Sequence, residues 1–199
     1  MTDRKLTPAV RFAPELLLRA QGTGLSMRAA IFDVDGVLTD GRIYIGEQGE
    51  VFKAFNTLDG HGLKLLQRCG IEPLIITGRD SAAVRRRVAD LGLKHAVYGA
   101  GDKLAAATAL LQQLNLSWSD VAAIGDDWPD LPLLARAGLA CAPPGAHAEV
   151  RGIAHFVTTA PAGHGAAREF CDLMLLAAGH YATLLQAHMQ GPGQTLDAR

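Results

Sequence analysis

The sequence has few cysteines and no long apolar run. Three cysteines, Cys69, Cys141 and Cys171, occur among 199 residues, and none belongs to a C-x-x-C pair. An odd number of scattered cysteines argues against a disulfide framework and against a structural zinc site. No stretch approaches the roughly 20 uninterrupted apolar residues of a membrane span. We therefore expect a protein that does not cross a membrane.

The sequence also lacks an excess of charge of either sign. Its 19 Lys and Arg residues balance 20 Asp and Glu residues, which leaves a net charge of −1. Without a basic excess there is little to neutralise nucleic-acid phosphates or an anionic membrane surface. Charged side chains also interrupt the first 20 residues, where a secretory signal would need an apolar core. We predict a cytoplasmic protein with neither nucleic acid nor membrane as a partner.

Short apolar runs alternate with amphipathic stretches along most of the chain, and 49% of all residues are hydrophobic. The predicted strands are 29–32, 74–76, 95–98, 121–124, 139–142 and 155–158. The predicted helices between them are 60–69, 81–91, 103–114 and 131–137. Alternation of strand and helix is typical of βαβ units, whose parallel sheet is covered by helices on both faces. The predicted fold class is therefore α/β, with a Rossmann-like sheet.

A β-hairpin predicted at about 42–55 interrupts this alternation directly after the first strand, where it can act as a flap over a site. Three regions follow from the pattern: an N-terminal extension over 1–26, a main domain over 27–179, and a C-terminal helix and tail over 180–199. Helices are expected at 14–20, 166–178 and 181–189. The tail from Gly191 onward has the composition of a disordered terminus.

Polar side chains follow several of the predicted strands, and ligands of open α/β sheets bind at the carboxyl ends of strands. The residues at this edge are Asp33, Asp35, Thr77, Arg79, Asp126 and Asp127, with Lys103 at the start of a helix. Any single Asp at a strand end is commonly a cap or turn residue. Several carboxylates together repel one another unless a cation or substrate compensates. The group therefore indicates a binding site.

Oxygen ligands without accompanying His or Cys suit Mg²⁺, which substrate phosphate usually completes. Carboxylates and Mg²⁺ beside Lys, Arg and Thr are typical of phosphoryl transfer, in which a carboxylate can be the nucleophile. The sequence contains neither Gly-x-x-x-x-Gly-Lys-Ser/Thr nor Gly-x-Gly-x-x-Gly after the first strand. These two absences argue against the common nucleotide-binding loops.

At these residues the sequence resembles the haloacid dehalogenase-like phosphatases, through DVDGVLTDG, TGR, a lone Lys and GDD in that order. The segments FNTLDGHGLKLL, YGAGDKLAA and GAAREFCDLML narrow the resemblance to the phosphatases of 3-deoxy-D-manno-octulosonate 8-phosphate. It covers about residues 28–178. The resemblance implies a Mg²⁺-dependent phosphatase that acts on a small sugar-acid phosphate in lipopolysaccharide precursor synthesis.

The resemblance also implies individual roles. The implied catalytic residues are Asp33 as nucleophile, Asp35 as general acid and then base, and Thr77 and Lys103 as ligands of the phosphoryl group. The implied Mg²⁺ ligands are Asp33, the carbonyl of Asp35, and Asp126, with Asp127 in support. The implied substrate-binding residues are Asp35, Asn56, Thr57, Leu58, Asp59, Gly60, Lys64, Arg79, Arg87 and Lys103.

In that family the hairpin replaces a cap domain, and the subunits form a homotetramer in which a neighbour helps to close each site. Two positions depart from its pattern, because His164 and Lys64 stand where arginine is common. Lysine lacks the bidentate fork that arginine offers to a carboxylate. Two alternatives remain open: the same chemistry on a nine-carbon, sialic-acid-type 9-phosphate, and a non-catalytic scaffold with this fold.

Overall fold

The computed structural model describes residues 8–24 and 27–190. Six strands form one parallel sheet in the order β5-β4-β1-β6-β7-β8. They are β1 (Ala29–Phe32), β4 (Glu72–Ile76), β5 (His95–Val97), β6 (Val121–Ile124), β7 (Leu139–Ala142) and β8 (Phe156–Val157). β1 lies at the centre of the sheet, between β4 and β6.

Helices cover both faces of this sheet. They are α1 (Pro14–Arg19), α2 (Thr57–Arg68), α3 (Ala82–Leu91), α4 (Lys103–Gln113), α5 (Leu131–Leu134), α6 (Ala148–Ile153), α7 (Ala166–Ala177) and α8 (Tyr181–Gln190). α1, α2, α3, α7 and α8 pack on one face, and α4, α5 and α6 pack on the other. Within the described residues, no helix is both long and apolar enough to cross a membrane.

The central strand shows why the sheet is buried on both faces. Ala30 and Phe32 point into the core beneath α2 and α7, whereas Ala29 and Ile31 point into the core beneath α4 and α5. Successive strand residues alternate between faces, so a continuously apolar strand needs a cover on each side. The predicted α/β fold class is confirmed.

The remaining two strands form the hairpin, β2 (Tyr44–Gly46) and β3 (Gly49–Phe52), which is a separate antiparallel sheet. The rings of Tyr44 and Phe52 stack across it with their centroids 4.3 Å apart. The hairpin follows β1 and precedes α2, so both of its ends are anchored at the carboxyl edge of the parallel sheet.

Three helices differ from the sequence-based expectation, and one of them is α5, which ends at Leu134 instead of residue 137. α2 begins at Thr57 instead of residue 60, because Asn56 Oδ1 accepts a hydrogen bond from the backbone N–H of Leu58 at 2.8 Å and caps the helix. α6 was not predicted, since it spans only six residues and contains Gly152. The tail expected to be disordered, from Gly191 onward, lies outside the described residues.

Candidate active site

Two neighbouring strands deliver three carboxylates to one point. Phe32 of β1 pairs with Ile124 of β6, so Asp33 and Asp126 leave the sheet side by side. A 3₁₀ turn, Trp128–Asp130, brings the carboxylate of Asp130 back to them. One oxygen of each of these three residues lies within 4.8 Å of the others. We call Asp33, Asp126 and Asp130 the acidic cluster.

Lys103 is the cation that lies against this cluster. It is the first residue of α4, and its Nζ lies 2.7 Å from Asp33 Oδ1 and 2.7 Å from Asp130 Oδ1. The lysine is buried, so its ammonium is fixed in place. Three ionised carboxylates and one ammonium leave a net charge of −2, which a divalent cation would neutralise.

The titration of the cluster shows the same shortage of positive charge. Burial, and then the charge of Asp130, raise the pKa of Asp33 to about 8. The same two causes raise the pKa of Asp126 to about 6. Burial tends to lower the pKa of Lys103, but Asp33 and Asp130 outweigh it and the net shift is upward. Without a further cation the cluster resists full ionisation. Buried carboxylate oxygens short of positive charge fit Mg²⁺ well.

Gly36 explains one fixed feature of the first motif. Its backbone has a φ of +89°, and a Cβ built there would lie 2.0 Å from Asp126 Oδ2. A side chain at this position would therefore displace the carboxylate as well as strain the backbone. Glycine lets the loop after β1 approach the cluster closely.

Asp35 lies among a different set of charges. Its Oδ1 accepts a hydrogen bond from Lys53 Nζ at 2.5 Å, and its Oδ2 lies 3.8 Å from Arg79 Nε. Glu50 Oε2 lies 3.1 Å from Lys53 Nζ and 3.5 Å from Arg79 Nη2. We call these four residues the ion-pair ring. The two aspartates of the first motif therefore have separate environments.

Thr77 follows the other neighbour of β1. Since Phe32 pairs with Ile75 of β4, Thr77 leaves the sheet beside the segment that carries Asp33 and Asp35. Thr77 is buried, and its Oγ1 accepts a hydrogen bond from the backbone N–H of Arg79 at 3.3 Å. The edge thus combines a hydroxyl, an ammonium and three carboxylates, a set suited to binding and transferring a phosphoryl group.

Comparison with known proteins identifies this arrangement. Over 167 residues the chain is 42% identical to the 3-deoxy-D-manno-octulosonate 8-phosphate phosphatase KdsC of Salmonella typhimurium, with 84% of this chain and 87% of that protein covered. The chain belongs to this phosphatase family. A haloacid dehalogenase-like hydrolase profile also matches residues 97–170. The resemblance stated from the sequence motifs is confirmed.

Solved structures of family members have the same fold. The 3-deoxy-D-manno-octulosonate 8-phosphate phosphatase of Yersinia pestis is 43% identical with a TM-score of 0.81, covering 85% of this chain and 90% of that one. The enzyme of Moraxella catarrhalis, solved with a magnesium ion, a phosphate ion and a KDO molecule, is 37% identical with a TM-score of 0.83. The match covers 88% of this chain and 98% of the Moraxella chain.

In this family member, several residues predicted to bind substrate connect α2 with the start of α7. Asp59 accepts hydrogen bonds from the backbone N–H groups of Arg168, at 2.8 Å, and Gly165, at 3.3 Å. Asn56 donates to the carbonyl of Gly163 at 3.3 Å. These contacts hold the turn that contains His164 against α2.

Arg87 reaches the same region from α3. Its Nη2 donates to the carbonyl of Asn56 at 3.3 Å, and it lies so close to Gly60 that a Cβ there would be 2.3 Å away. Thr57, Leu58 and Lys64 are exposed on α2 instead. Their roles as substrate ligands stay predictions.

Three residues of the site were not predicted from the sequence. One residue that was predicted as a metal ligand, Asp127, lies outside the acidic cluster. Asp130 could have been found, because it follows Asp126 by four residues and one helical turn brings such positions together. Lys53 and Glu50 gave no local signal, since only the folded hairpin brings them to Asp35. The side chain of Asp127 accepts a hydrogen bond from the backbone N–H of Asp130 and caps the 3₁₀ turn outside the acidic cluster.

Proposed function

We propose that this chain is a Mg²⁺-dependent phosphatase that hydrolyses 3-deoxy-D-manno-octulosonate 8-phosphate to 3-deoxy-D-manno-octulosonate and phosphate. The acidic cluster with Lys103 carries the proposal, because its charge is incomplete without a divalent cation. The named activity of the relatives, at 42% identity over most of the chain, supports the substrate. The Moraxella enzyme holds a magnesium ion, a phosphate ion and KDO together.

We assign the nucleophile to Asp33. Its carboxylate attacks phosphorus, a bond forms between an oxygen of Asp33 and phosphorus, and the bond from phosphorus to the sugar oxygen breaks. Lys103 holds Asp33 through Oδ1 at 2.7 Å, which leaves the other carboxylate oxygen available for attack. Thr77 and Lys103 are proposed to bind the phosphoryl oxygens, because both are buried donors beside Asp33.

We assign proton transfer to Asp35. It gives a proton to the departing sugar oxygen, and later takes one from the water that attacks the aspartyl-phosphate and releases phosphate from Asp33. The geometry supports this division of roles, since the Asp35 carboxylate is held by Lys53 outside the acidic cluster that would bind Mg²⁺.

The proposed Mg²⁺ ligands are Asp33, Asp126 and the backbone carbonyl of Asp35, with Asp127 and Asp130 in support. When bound, the ion neutralises charge on the phosphoryl oxygens and on the carboxylates. Asp130 is also bound to Lys103 and to the backbone N–H of Asp126, so we assign it to orienting the cluster.

The substrate carboxylate requires cations at the outer part of the site. Arg79 is the half-exposed member of the ion-pair ring, and Arg87 lies along α2, so both are proposed ligands of the sugar acid. Lys64 and His164 are the positions at which this chain departs from the common pattern of the family. They are therefore the candidates for a shift toward the nine-carbon alternative.

Phosphate release from a panel of sugar phosphates tests the proposal. We expect release from the eight-carbon substrate, a loss of activity of at least about 10³-fold in Asp33→Asn, and loss with EDTA that Mg²⁺ restores. Asp90→Asn, an exposed carboxylate on α3, is the matched control and should retain activity. A preference for the nine-carbon substrate would mean that the same chemistry acts on a different sugar-acid phosphate. No release from any sugar phosphate would favour the scaffold alternative.

We also propose a homotetramer, in which the hairpin takes part in the interface. Ile45, Val51 and Phe52 are 68%, 64% and 50% exposed, respectively, on this small hairpin. A cluster of exposed apolar side chains is typical of an interaction surface. The cytoplasmic location, and the division into 1–26, 27–179 and 180–199, stay predictions.

A further inference from the structure

The ion-pair ring connects the hairpin to two strands of the parallel sheet. Glu50 lies in β3 and Lys53 follows it, whereas Asp35 follows β1 and Arg79 follows β4. Positive and negative side chains alternate around the ring, and its four contacts measure between 2.5 and 3.8 Å. The hairpin is therefore fixed to the proposed proton donor by charge, in addition to its chain connections.

The burial of Lys53 shows that its position is specified. Its side chain is 1% exposed, a state that is costly for an ammonium unless carboxylates surround it. Asp35 and Glu50 supply these partners at 2.5 and 3.1 Å. The hairpin does not need this lysine for its own pairing, because the β2–β3 register ends at Phe52. What the buried ammonium determines is the placement of the Asp35 carboxylate.

The two oxygens of Asp35 are held unequally. Oδ1 is hydrogen-bonded to Lys53, whereas Oδ2 is buried and accepts no hydrogen bond from any residue that the structure describes. Arg79, the nearest cation, is 3.8 Å away from Oδ2. One oxygen of Asp35 is thus anchored, and the other has no hydrogen-bond partner among the described residues.

We propose that Lys53, oriented by Glu50, is a positioning residue that fixes the Asp35 carboxylate so that its second oxygen meets the leaving oxygen of the substrate. This inference rests on the proposed function, since it requires Asp35 to be the proton donor. Misplacement of a reacting group by about 1 Å can lower a rate by about 10²-fold. Loss of the anchor should therefore affect the protonation step far more than substrate binding.

Two substrates with different leaving groups separate this role from a structural one. A sugar alkoxide needs a proton to depart, whereas the weakly basic phenolate of an activated aryl phosphate departs without one. Both substrates share the later hydrolysis of the aspartyl-phosphate, in which Asp35 also acts, so the comparison uses the rate of leaving-group release in a single turnover. In Lys53→Met we expect this rate to fall about 10²-fold for the sugar phosphate and less than about 10-fold for the aryl phosphate. The half-saturating concentration for the sugar phosphate should change less than about 3-fold. Lys94→Met, an exposed lysine, is the matched control and should leave both rates unchanged.

Two milder variants keep the test decisive if Lys53→Met does not fold, which circular dichroism and thermal denaturation will show. Lys53→Arg keeps the charge and should recover at least about 10-fold of the lost single-turnover release rate. Glu50→Gln should lower the single-turnover release rate on the sugar phosphate about 10-fold with the same dependence on leaving group. Glu47→Gln removes the same charge from the turn of the hairpin and should have no effect.

Equal losses of the single-turnover release rate on both substrates would overturn the inference, and so would a change confined to the half-saturating substrate concentration. The first would mean that Lys53 acts on the phosphoryl group or the fold, and the second that it binds substrate. Wild-type protein that hydrolyses no sugar phosphate would instead overturn the proposed function, and the inference with it. The wild-type rates on both substrates, measured first, distinguish these failures.

Discussion

Asp33 and Asp35 are two residues apart in the sequence but differ in every charged partner. Asp33 lies in the acidic cluster against Lys103, whereas Asp35 lies beneath the hairpin against Lys53 and Arg79. A nucleophile must be ionised when it attacks, and a proton donor must hold its proton until the leaving group departs. The two carboxylates are held apart, so a Mg²⁺ ion at the acidic cluster would favour ionised Asp33 without contacting the carboxylate of Asp35.

The raised pKa of Asp33 makes the stability of the metal-free protein depend on pH. The pKa is about 8 in the folded chain and 3.8 for an ordinary aspartate, so between these values the folded state binds more protons than the unfolded state. Stability contributed by this residue therefore falls as pH rises from about 4 to about 8. Mg²⁺ binds the ionised form and should stabilise the protein more at pH 8 than at pH 5.

Asp33→Asn removes this buried charge. With EDTA present at pH 8, we expect its Tm to exceed that of the wild type by about 2–8 °C, while catalysis is lost. At pH 5 the difference should be smaller, because the wild-type aspartate is largely protonated there. Thermal denaturation of both proteins at the two pH values, with and without Mg²⁺, measures this. An equal shift at both pH values would contradict the assignment.

The residues of the site differ in how far the sequence could predict them. Asp33, Asp35 and Asp126 follow apolar strands within compact motifs, so position and type are both visible. Lys53 belongs to the site only because the hairpin folds back and brings it to Asp35, which lies 18 residues earlier in the sequence. Contacts of that kind depend on the path of the whole segment, which no local pattern in this chain specifies.

At the scale of secondary-structure elements, a side chain of α2 caps the N-terminus of α7. The carboxylate of Asp59, in the first turn of α2, accepts from two backbone N–H groups at the start of α7. These groups are among those that a helix cannot satisfy internally. The contact therefore stabilises α7 and also fixes the turn 163–165.

Removing this cap should destabilise the protein. In Asp59→Ala the freed N–H groups are left in a buried region, which costs about 1–3 kcal/mol and should lower Tm by about 3–10 °C. Asp90→Ala removes an exposed carboxylate paired with Arg86 and should change Tm by less than about 2 °C. Thermal denaturation compares the two variants, and equal effects would contradict the capping role. If Asp59→Ala shows a raised KM at a temperature well below its Tm, this would support the predicted contact of Asp59 with substrate.

The prediction of elements succeeded where tertiary packing agrees with the local pattern. β1, β6 and β7 match the predicted bounds because each is a short apolar run buried on both faces. The start of α2 was missed because Asn56 and the glycine-containing stretch after it have the composition of a loop. Capping by Asn56 and burial of Gly60 against Arg87 favour the helix there.

At the scale of the whole molecule, the sequence predicted a parallel sheet but not its strand order. The central place of β1 between β4 and β6 is what brings Asp33, Thr77 and Asp126 to one edge. Motif order along the chain does not contain this information, because it depends on which helices cross which face.

The exposed apolar side chains of the hairpin lead to the last prediction, which concerns assembly. We expect the wild type to sediment at micromolar concentration as a species of four times the 21.0 kDa chain mass. The double variant Val51→Ser, Phe52→Ser removes apolar surface that subunit contact would bury, and should dissociate into smaller species. Leu18→Ser, at a 66% exposed residue of α1, is the control and should stay tetrameric. A wild type that sediments as a stable monomer would contradict the tetramer. A double variant that remains tetrameric would exclude the hairpin from the interface, and subunit contact would then have to be sought elsewhere on the surface.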